Sequence, residues 1–197
     1  MTRHASNQTK QSDRASTNNN NNRNALREKL EQRGREMLQN MRETEGVISL
    51  ESGVCVHVLE HGPEGPGQGA YPTAGSVVEI HYHGTLSDGT VFDSTLGGDP
   101  VKFPLAQVIP GWREGVLQMH QGETAMLGIP PEQAYGPEGT PDGRIPGGST
   151  LFFKIQLVSI LTGAVGGGPT LLGADGEAYN SNDSGGSGLI GADGSPL

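Results

Sequence analysis

The chain has 197 residues, with 22 acidic and 13 basic side chains and a formal net charge of −9. The charge is uneven: residues 1–45 have a net charge of +3, whereas residues 46–197 carry only four basic residues against sixteen acidic ones. So acidic a segment is a poor candidate for binding nucleic acid, because that affinity depends on cationic side chains that neutralise phosphates. The single cysteine, Cys55, excludes an internal disulfide and a cysteine-cluster metal site.

No stretch of the sequence has the length and apolarity of a signal peptide or a membrane span. We therefore expect a protein that does not enter a membrane and works in the cytoplasm, with the nucleus as a second compartment.

The two ends differ in composition from the middle. Residues 1–23 are mostly Asn, Gln, Ser, Thr and Arg, and residues 163–197 contain eleven glycines. Neither end has enough apolar surface to offset the entropy cost of ordering, so we predict a disordered polar tail and a disordered Gly-rich tail. Residues 171–176 (LLGADG) recur at 189–194 as LIGADG, either by low-complexity duplication or as a paired linear motif.

Residues 24–46 are predicted to form a helical arm. Apolar residues recur there at helical spacings, and Gly46 stands where a C-terminal cap would. The apolar stripe consists of Leu26, Leu30, Met37, Leu38 and Met41. Two interpretations remain open: the helix docks on its own domain or stands in solvent, or it forms a homodimer through this stripe.

Residues 47–162 are predicted to form one α+β domain. Alternation of apolar and polar residues predicts strands, and Ser87-Asp88-Gly89 is a hairpin signal. The strands lie near 54–59, 76–86, 90–93, 101–105, 123–129 and 150–161. A short helix opens at Pro110-Gly111, with Trp112 on its buried stripe. We expect an antiparallel β-sheet, a half-barrel, wrapped around this helix.

The segment 130–149 (PPEQAYGPEGTPDGRIPGGS) has five prolines and five glycines and no regular period. Loops of this length inside a compact domain are uncommon and are usually functional or disordered. The prolines stiffen the segment, and Tyr135 and Ile145 provide apolar contacts. We interpret it as an ordered flap over a site.

The string HYHGTLSDGTVFD contains a candidate metal pair, His81 and His83. They share one face of a strand, while Tyr82 faces the other way. A zinc site needs at least a third protein ligand, and none stands at a suitable interval. We therefore expect no metal, and interpret the histidines as the wetter face of a strand whose tyrosine points inward.

Asp93 closes the same string next to Phe92. A carboxylate among aromatic side chains needs a hydrogen bond or has a shifted pKa, and the Tyr82 hydroxyl is a suitable partner. No nucleophile elbow, phosphate loop or metalloprotease motif is present. These exclusions leave an apolar pocket with aromatic walls.

Four strings in order carry a resemblance: VVEIHYHGTLSDGTVFDS, FPLAQVIPGWREGVLQMHQGE, IPPEQAYG and STLFFKIQLVSIL. Over about residues 47–161 the chain resembles the FKBP-type peptidyl-prolyl cis–trans isomerases, immunophilins that bind rapamycin-like and FK506-like macrolides. The helix followed by GVISLESGVCVHVLEHG further resembles the macrophage-infectivity-potentiator branch, whose N-terminal helical module makes dimers.

The resemblance implies a pocket and roles for its residues. Trp112 would form the floor, and the walls would come from Tyr82, Phe92, Val108, Ile109, Tyr135, Ile145 and Phe153. Asp93, Tyr82 and Tyr135 would be the catalytic residues, without a cofactor or metal. Asp93 would bond to Tyr82 or to the substrate, while the Ile109 N–H and the Tyr135 hydroxyl would hold substrate carbonyls.

The implied function is rotation of X-Pro bonds in proline-containing polypeptides, in support of protein folding. The alternative is a catalytically weak adaptor that docks proline-containing loops; adaptor domains tend to lose the aspartate or the aromatics, which this chain retains. The sequence departs from the family pattern around the pocket rim. Val101, Gln107, Thr140 and Arg144 replace a phenylalanine, a glutamate, a histidine and an isoleucine, and one residue is inserted near Asp142.

Overall fold

The computed structural model describes residues 6–67 and 69–161. Within them lie two α-helices, α1 (Ser6–Arg42) and α2 (Pro110–Val116), and one 3₁₀ turn (Pro131–Gln133). The seven strands are β1 (Val47–Ser49), β2 (Cys55–Glu60), β3 (Val77–Leu86), β4 (Val91–Ser94), β5 (Val101–Pro104), β6 (Thr124–Ile129) and β7 (Leu151–Leu161).

All seven strands belong to one antiparallel sheet: six follow the order β1-β2-β6-β7-β3-β4, and β5 pairs with β3 beside them. Strand β3 pairs with β7 from Val77↔Leu161 to Leu86↔Leu151. The opposite edge of β3 is shared between β5 and β4. The sheet remains open, and the predicted α+β fold with an antiparallel half-barrel and an N-terminal helix is confirmed.

Helix α2 packs into the concave side of the sheet. Trp112 and Val116 are completely buried there and belong to the main apolar core. The helix approaches closely because two of its residues are glycines: a Cβ at Gly111 would overlap Ile129, and one at Gly115 would overlap Leu127. The small residues at these two positions therefore bring the indole of Trp112 against the sheet.

Helix α1 packs on the other side. Side chains along a strand alternate between faces, so Phe153 joins the core around α2, whereas Phe152 joins a second cluster with Leu38 and Cys55. Leu30 and Leu38 are buried, and the Ser87 hydroxyl donates to the Leu30 carbonyl at 2.8 Å. The helix also lies close to β7 at Gly34, where a Cβ would be only 2.5 Å from Thr150 Oγ1. The predicted stripe is therefore docked, at least in part, on its own domain.

Helix α1 begins much earlier than the sequence pattern indicated. The backbone is helical from Ser6 to Arg42, where we had predicted a disordered tail over 1–23 and a helix over 24–46. The difference arises because hydrophobic periodicity detects only a helix with an apolar stripe, which here starts at Leu26, whereas the backbone hydrogen bonds need no apolar side chain. The short edge strand β1 was also missed.

The predicted Gly-rich tail, 163–197, and both copies of its repeated motif lie outside the described residues. Within the described part, neither helix has the length and apolarity needed to cross a membrane.

The docking of α1 predicts different costs for two neighbouring truncations. Leu38 is 5% exposed and Met37 is 36% exposed. We expect Leu38→Ala to lower the free energy of unfolding by about 2–4 kcal/mol, since it leaves a cavity against Phe152 and Cys55, and Met37→Ala by about 0.5 kcal/mol or less. Urea denaturation measures both. Equal effects would contradict the docked arrangement.

Candidate active site

The predicted pocket residues meet on the concave side of the sheet. All but two belong to one buried cluster, while Tyr135 packs against it half-buried and Asp93 lies half-buried beside it. The buried members are Tyr82, Phe92, Val108, Ile109, Trp112, Ile145 and Phe153. Strands β3, β4 and β7, helix α2 with the loop before it, and the flap of residues 130–149 supply these side chains. They are far apart in sequence, and the folded sheet brings them together.

The aromatic rings form a connected series across the pocket. Phe103 lies edge-on to Trp112 with ring centroids 5.8 Å apart, and 5.9 Å from the Tyr82 ring. On the other side of Tyr82, Phe153 lies 6.5 Å away and is itself edge-on to Phe92 at 5.4 Å. Tilted and edge-on contacts at these distances are the favourable arrangements for aromatic pairs. The aromatic series is thus preformed, and Phe103 links Trp112 to Tyr82 within it.

Trp112 contributes a polar atom to this apolar cluster. Its indole nitrogen Nε1 is buried and has no hydrogen-bond partner among the described residues. A buried donor without an acceptor costs about 1–3 kcal/mol of stability. The buried cluster around Trp112 therefore contains one donor without a partner among the described residues.

Asp93 is the charged group of the pocket. The Tyr82 hydroxyl donates to Asp93 Oδ2 at 2.6 Å, as the sequence indicated, and the Ser94 N–H donates to Oδ1 at 2.9 Å. Burial raises the pKa of the Asp93 carboxyl above its ordinary value, although these two hydrogen bonds and the positive charge of Arg144 act in the opposite direction. Desolvation therefore outweighs the hydrogen bonds at this carboxyl.

The β3–β4 pair positions this hydrogen bond. Gly84 lies opposite Asp93 in the register, and a Cβ at Gly84 would come within 3 Å of the Phe92 and Phe153 rings. Thr95, directly after β4, binds the backbone of Tyr82 on β3. The Tyr82 N–H donates to the Thr95 hydroxyl at 2.9 Å, and the Thr95 N–H donates to the Tyr82 carbonyl at 3.0 Å. The tyrosine is thus fixed at both its backbone and its hydroxyl.

The two histidines of β3 face away from the pocket. His81 and His83 are half-buried and lie near hydroxyls, with Nδ1 of His81 3.4 Å from Thr95 Oγ1 and Nδ1 of His83 3.0 Å from Ser94 Oγ. Residues 6–67 and 69–161 contain no group of three His, Cys, Asp or Glu side chains arranged to hold a metal ion.

The flap is folded back on itself. The Gly148 N–H donates to the Gly136 carbonyl at 2.8 Å, and the Thr140 N–H donates to the Ile145 carbonyl at 2.9 Å. Gly139 and Pro146 form an isolated antiparallel bridge between these two bonds. The flap is therefore ordered by its own backbone, and it presents Ile145, 4% exposed, to the pocket.

Two of the residues that depart from the family pattern belong to one hydrogen-bonded network at the tip of the flap. The Thr140 hydroxyl donates to Asp142 Oδ1 at 2.6 Å, and Arg144 Nε donates to Asp142 Oδ2 at 2.5 Å. The Ile145 N–H donates to Thr140 Oγ1 at 3.0 Å. These bonds hold the pKa of Asp142 well below its ordinary value. Sequence reasoning noted Asp142 only as an insertion, although Pro-Asp-Gly is a recognisable turn signal.

A family model described as "FKBP-type peptidyl-prolyl cis-trans isomerase" matches residues 69–158. The crystal structure of FkpA from Escherichia coli is similar to this one with a TM-score of 0.65, at 34% sequence identity over 78% of this chain and 70% of that chain. The chain belongs to the FKBP-type peptidyl-prolyl cis–trans isomerase family.

Curated relatives of this FKBP-type chain include members of the branch that the sequence suggested. The FKBP-type isomerase FkpA from Aeromonas hydrophila is 44% identical over 131 residues, 66% of this chain and 46% of that protein. The outer membrane protein MIP of Legionella longbeachae is 41% identical over 116 residues, 58% of this chain and 47% of that protein. The chain thus spans about half the length of these relatives.

The raised pKa of Asp93 predicts a pH-dependent stability. Between the ordinary value of 3.8 and the folded value, the native FKBP domain binds more protons at this carboxyl than the unfolded chain does, so Asp93 lowers stability as the pH rises. The free energy of unfolding of Asp93→Asn, relative to the parent chain, should therefore increase with pH through this window. Denaturant titrations at several pH values measure it.

Asp88, in the adjacent hairpin turn, provides a control of opposite sign. The Thr90 N–H lowers the pKa of the Asp88 carboxyl, so this aspartate contributes stability that is lost on acidification. The stability of Asp88→Asn relative to the parent should therefore decrease with rising pH. The same trend in both variants would contradict the assignment of the Asp93 shift to burial.

Proposed function

We propose that this protein catalyses cis–trans isomerisation of X-Pro peptide bonds in polypeptides, and that it assists protein folding in this way. The observation that carries the proposal is the Tyr82–Asp93 hydrogen bond beside a buried cluster of aromatic rings that includes Trp112, Phe92 and Phe153. Membership of the FKBP-type family supports the same activity.

The energetics of the prolyl bond explain why an apolar pocket suffices. Rotation about a peptide C–N bond has a barrier of about 18–20 kcal/mol because it breaks amide resonance. The two isomers of an X-Pro bond differ by only about 1 kcal/mol, yet they exchange over tens to hundreds of seconds. The planar amide is more polar than the twisted one, so removing water from it favours the twisted state. Catalysis then consists of differential binding, without a covalent intermediate or a cofactor.

Each pocket group has a proposed role in this scheme. The prolyl ring stacks over Trp112, between the walls formed by Phe92, Ile145 and Phe153. The Ile109 N–H and the Tyr135 hydroxyl donate to substrate carbonyls. The fixed position of Ile109 supports this role, because its own carbonyl accepts from the Trp112 and Arg113 N–H groups at 3.1 Å.

Asp93 has the proposed role of tuning the polarity of the pocket. Its pKa is raised because burial destabilises the charged carboxylate. The hydrogen bond from the Tyr82 hydroxyl keeps that carboxylate away from the apolar side chains. Rapamycin-like and FK506-like macrolides are proposed to occupy the same pocket and to compete with the peptide.

The activity is tested by following cis-to-trans isomerisation of a short X-Pro peptide, with and without rapamycin. We expect acceleration by the parent chain that rapamycin suppresses. Asp93→Ala and Tyr82→Phe should each lower kcat/KM by roughly 5- to 10-fold, since one hydrogen bond contributes about 1 kcal/mol. Asp88→Ala, an aspartate replaced outside the pocket on the same strand pair, should leave kcat/KM unchanged.

Two outcomes would contradict this mechanism in different ways. Complete loss of turnover in folded Asp93→Ala would show that the carboxylate does chemistry that differential binding does not include. Failure of the folded parent chain to accelerate isomerisation, while it still binds the peptide, would favour the adaptor alternative.

We also propose that the chain forms a homodimer through residues 24–46. Docking of Leu30 and Leu38 on the domain leaves Leu26 and Met37 of the predicted stripe 54% and 36% exposed. Leu26 and Met37 are eleven residues apart in the sequence, which is close to three helical turns, so they lie on one face of α1. An exposed apolar pair on one face supports contact with a second copy.

Sedimentation of the full chain tests the dimer. We expect a dimer that dissociates in the double variant Leu26→Glu/Met37→Glu, because two carboxylates would have to be buried without partners. Asn24→Glu, which adds a carboxylate at an exposed position on the opposite side of the same helix, should remain dimeric. A monomeric parent chain would remove the proposal.

A further inference from the structure

A groove separates helix α1 from the flap. Its volume is about 700 Å³. Arg27, Arg35 and Arg42 line it on the helix side, and Pro130, Pro131 and Pro137 line it on the flap side. It lies apart from the pocket described above, which none of these six residues enters. The helix wall carries these three arginines and Glu31, and the flap wall carries Glu132 beside the proline rings, so the lining has a net charge of +1.

The arginines give this groove a positive charge on an otherwise acidic molecule. Glu31 is the carboxylate of the helix wall, and it is shared between Arg27 at 2.8 Å and Arg35 at 4.0 Å. The Arg27 and Arg35 side chains are 43% and 70% exposed, so both guanidinium groups remain accessible. Residues 46–197 contain only four basic residues against sixteen acidic ones. The helix wall therefore presents positive charge beside a domain whose own sequence is acidic.

Such a groove is suited to a short segment that presents apolar side chains together with a carboxylate. The chain itself contains one in duplicate: LLGADG at 171–176 and LIGADG at 189–194. Residues 162–197 carry four acidic residues, Asp175, Glu177, Asp183 and Asp193, and no basic residue. Charge and apolar content are thus complementary between this segment and the groove.

Chain length distinguishes the two copies. Thr150 lines the groove and precedes the first residue of β7, whereas residues 162–197 follow Leu161 at the opposite end of this strand. At about 3.3 Å per residue these ends are roughly 33 Å apart. The nine residues before the first copy cover about the same distance only when fully extended. The twenty-seven residues before the second copy cover roughly 90 Å at most, so this copy reaches the groove without stretching.

We propose that residues 189–194 bind in the groove between α1 and the flap, with Ile190 against the prolines and Asp193 facing Arg35. The tether makes weak contacts sufficient, because linked segments reach effective concentrations of the order of millimolar. Pro137 and Gly148 line the groove and belong to the flap that brings Tyr135 and Ile145 to the pocket. A segment bound in the groove therefore contacts the flap on the side opposite Tyr135 and Ile145.

Disulfide trapping in the full chain tests the proposal. Gln39 lines the groove and is exposed, whereas its neighbour Asn40 is exposed on another face of α1 and does not line it. Cys55 is completely buried and does not compete. We expect Gln39→Cys/Ser195→Cys to form an intramolecular disulfide at least about fivefold faster than Asn40→Cys/Ser195→Cys. Adding Asp193→Lys to the first pair, or raising the salt concentration, should remove that advantage.

Three results would overturn the proposal. Equal rates for the Gln39→Cys and Asn40→Cys pairs would show that residues 189–194 do not occupy the groove. Disulfide-linked dimers in place of the intramolecular product would assign the groove to a second copy of the chain. Faster trapping with Glu177→Cys than with Ser195→Cys would assign it to the first copy of the motif and refute the length argument. None of these results depends on isomerase activity.

Discussion

The pairing of β3 with β7 is the constraint on which the rest of the molecule depends. These strands lie side by side from Val77↔Leu161 to Leu86↔Leu151, in the middle of the sheet. Because strand residues alternate between faces, this one ladder sends Tyr82 and Phe153 to the concave side, where the pocket is, and Phe152 to the side covered by α1. A shift of register by one residue would exchange these faces and abolish both clusters.

The pocket illustrates the competition between burial and hydrogen bonding. Asp93 lies among aromatic rings, and its pKa is raised even though it accepts two hydrogen bonds and lies within the electrostatic influence of Arg144. Asp142, at the surface, has a lowered pKa, because hydrogen bonds from Thr140 and Arg144 stabilise its charged form with little desolvation to oppose them. Desolvation therefore decides the direction of the pKa shift at Asp93, and hydrogen bonding decides it at Asp142.

The tip and the base of the flap carry contacts that do not belong to the aromatic cluster. At the tip, Asp142 accepts hydrogen bonds from the Thr140 hydroxyl and from Nε and the N–H of Arg144. At the base of the flap, α1 packs close to Thr150 through Gly34 and borders the arginine-lined groove. Both features lie outside the buried aromatic cluster around Trp112.

The sequence by itself determined the strands β2 to β7, the short helix α2, the flap and the inward direction of Tyr82, because alternation, turn residues and proline content are local signals. It also indicated the Tyr82–Asp93 bond, since a hairpin brings these residues together. Only the tertiary structure decided the rest: the helical backbone from Ser6, the role of Phe103 as a link between Trp112 and Tyr82, and the docking of Leu30 and Leu38. These features depend on contacts between distant segments, or on a helix without an apolar stripe, and neither leaves a periodic trace in the chain.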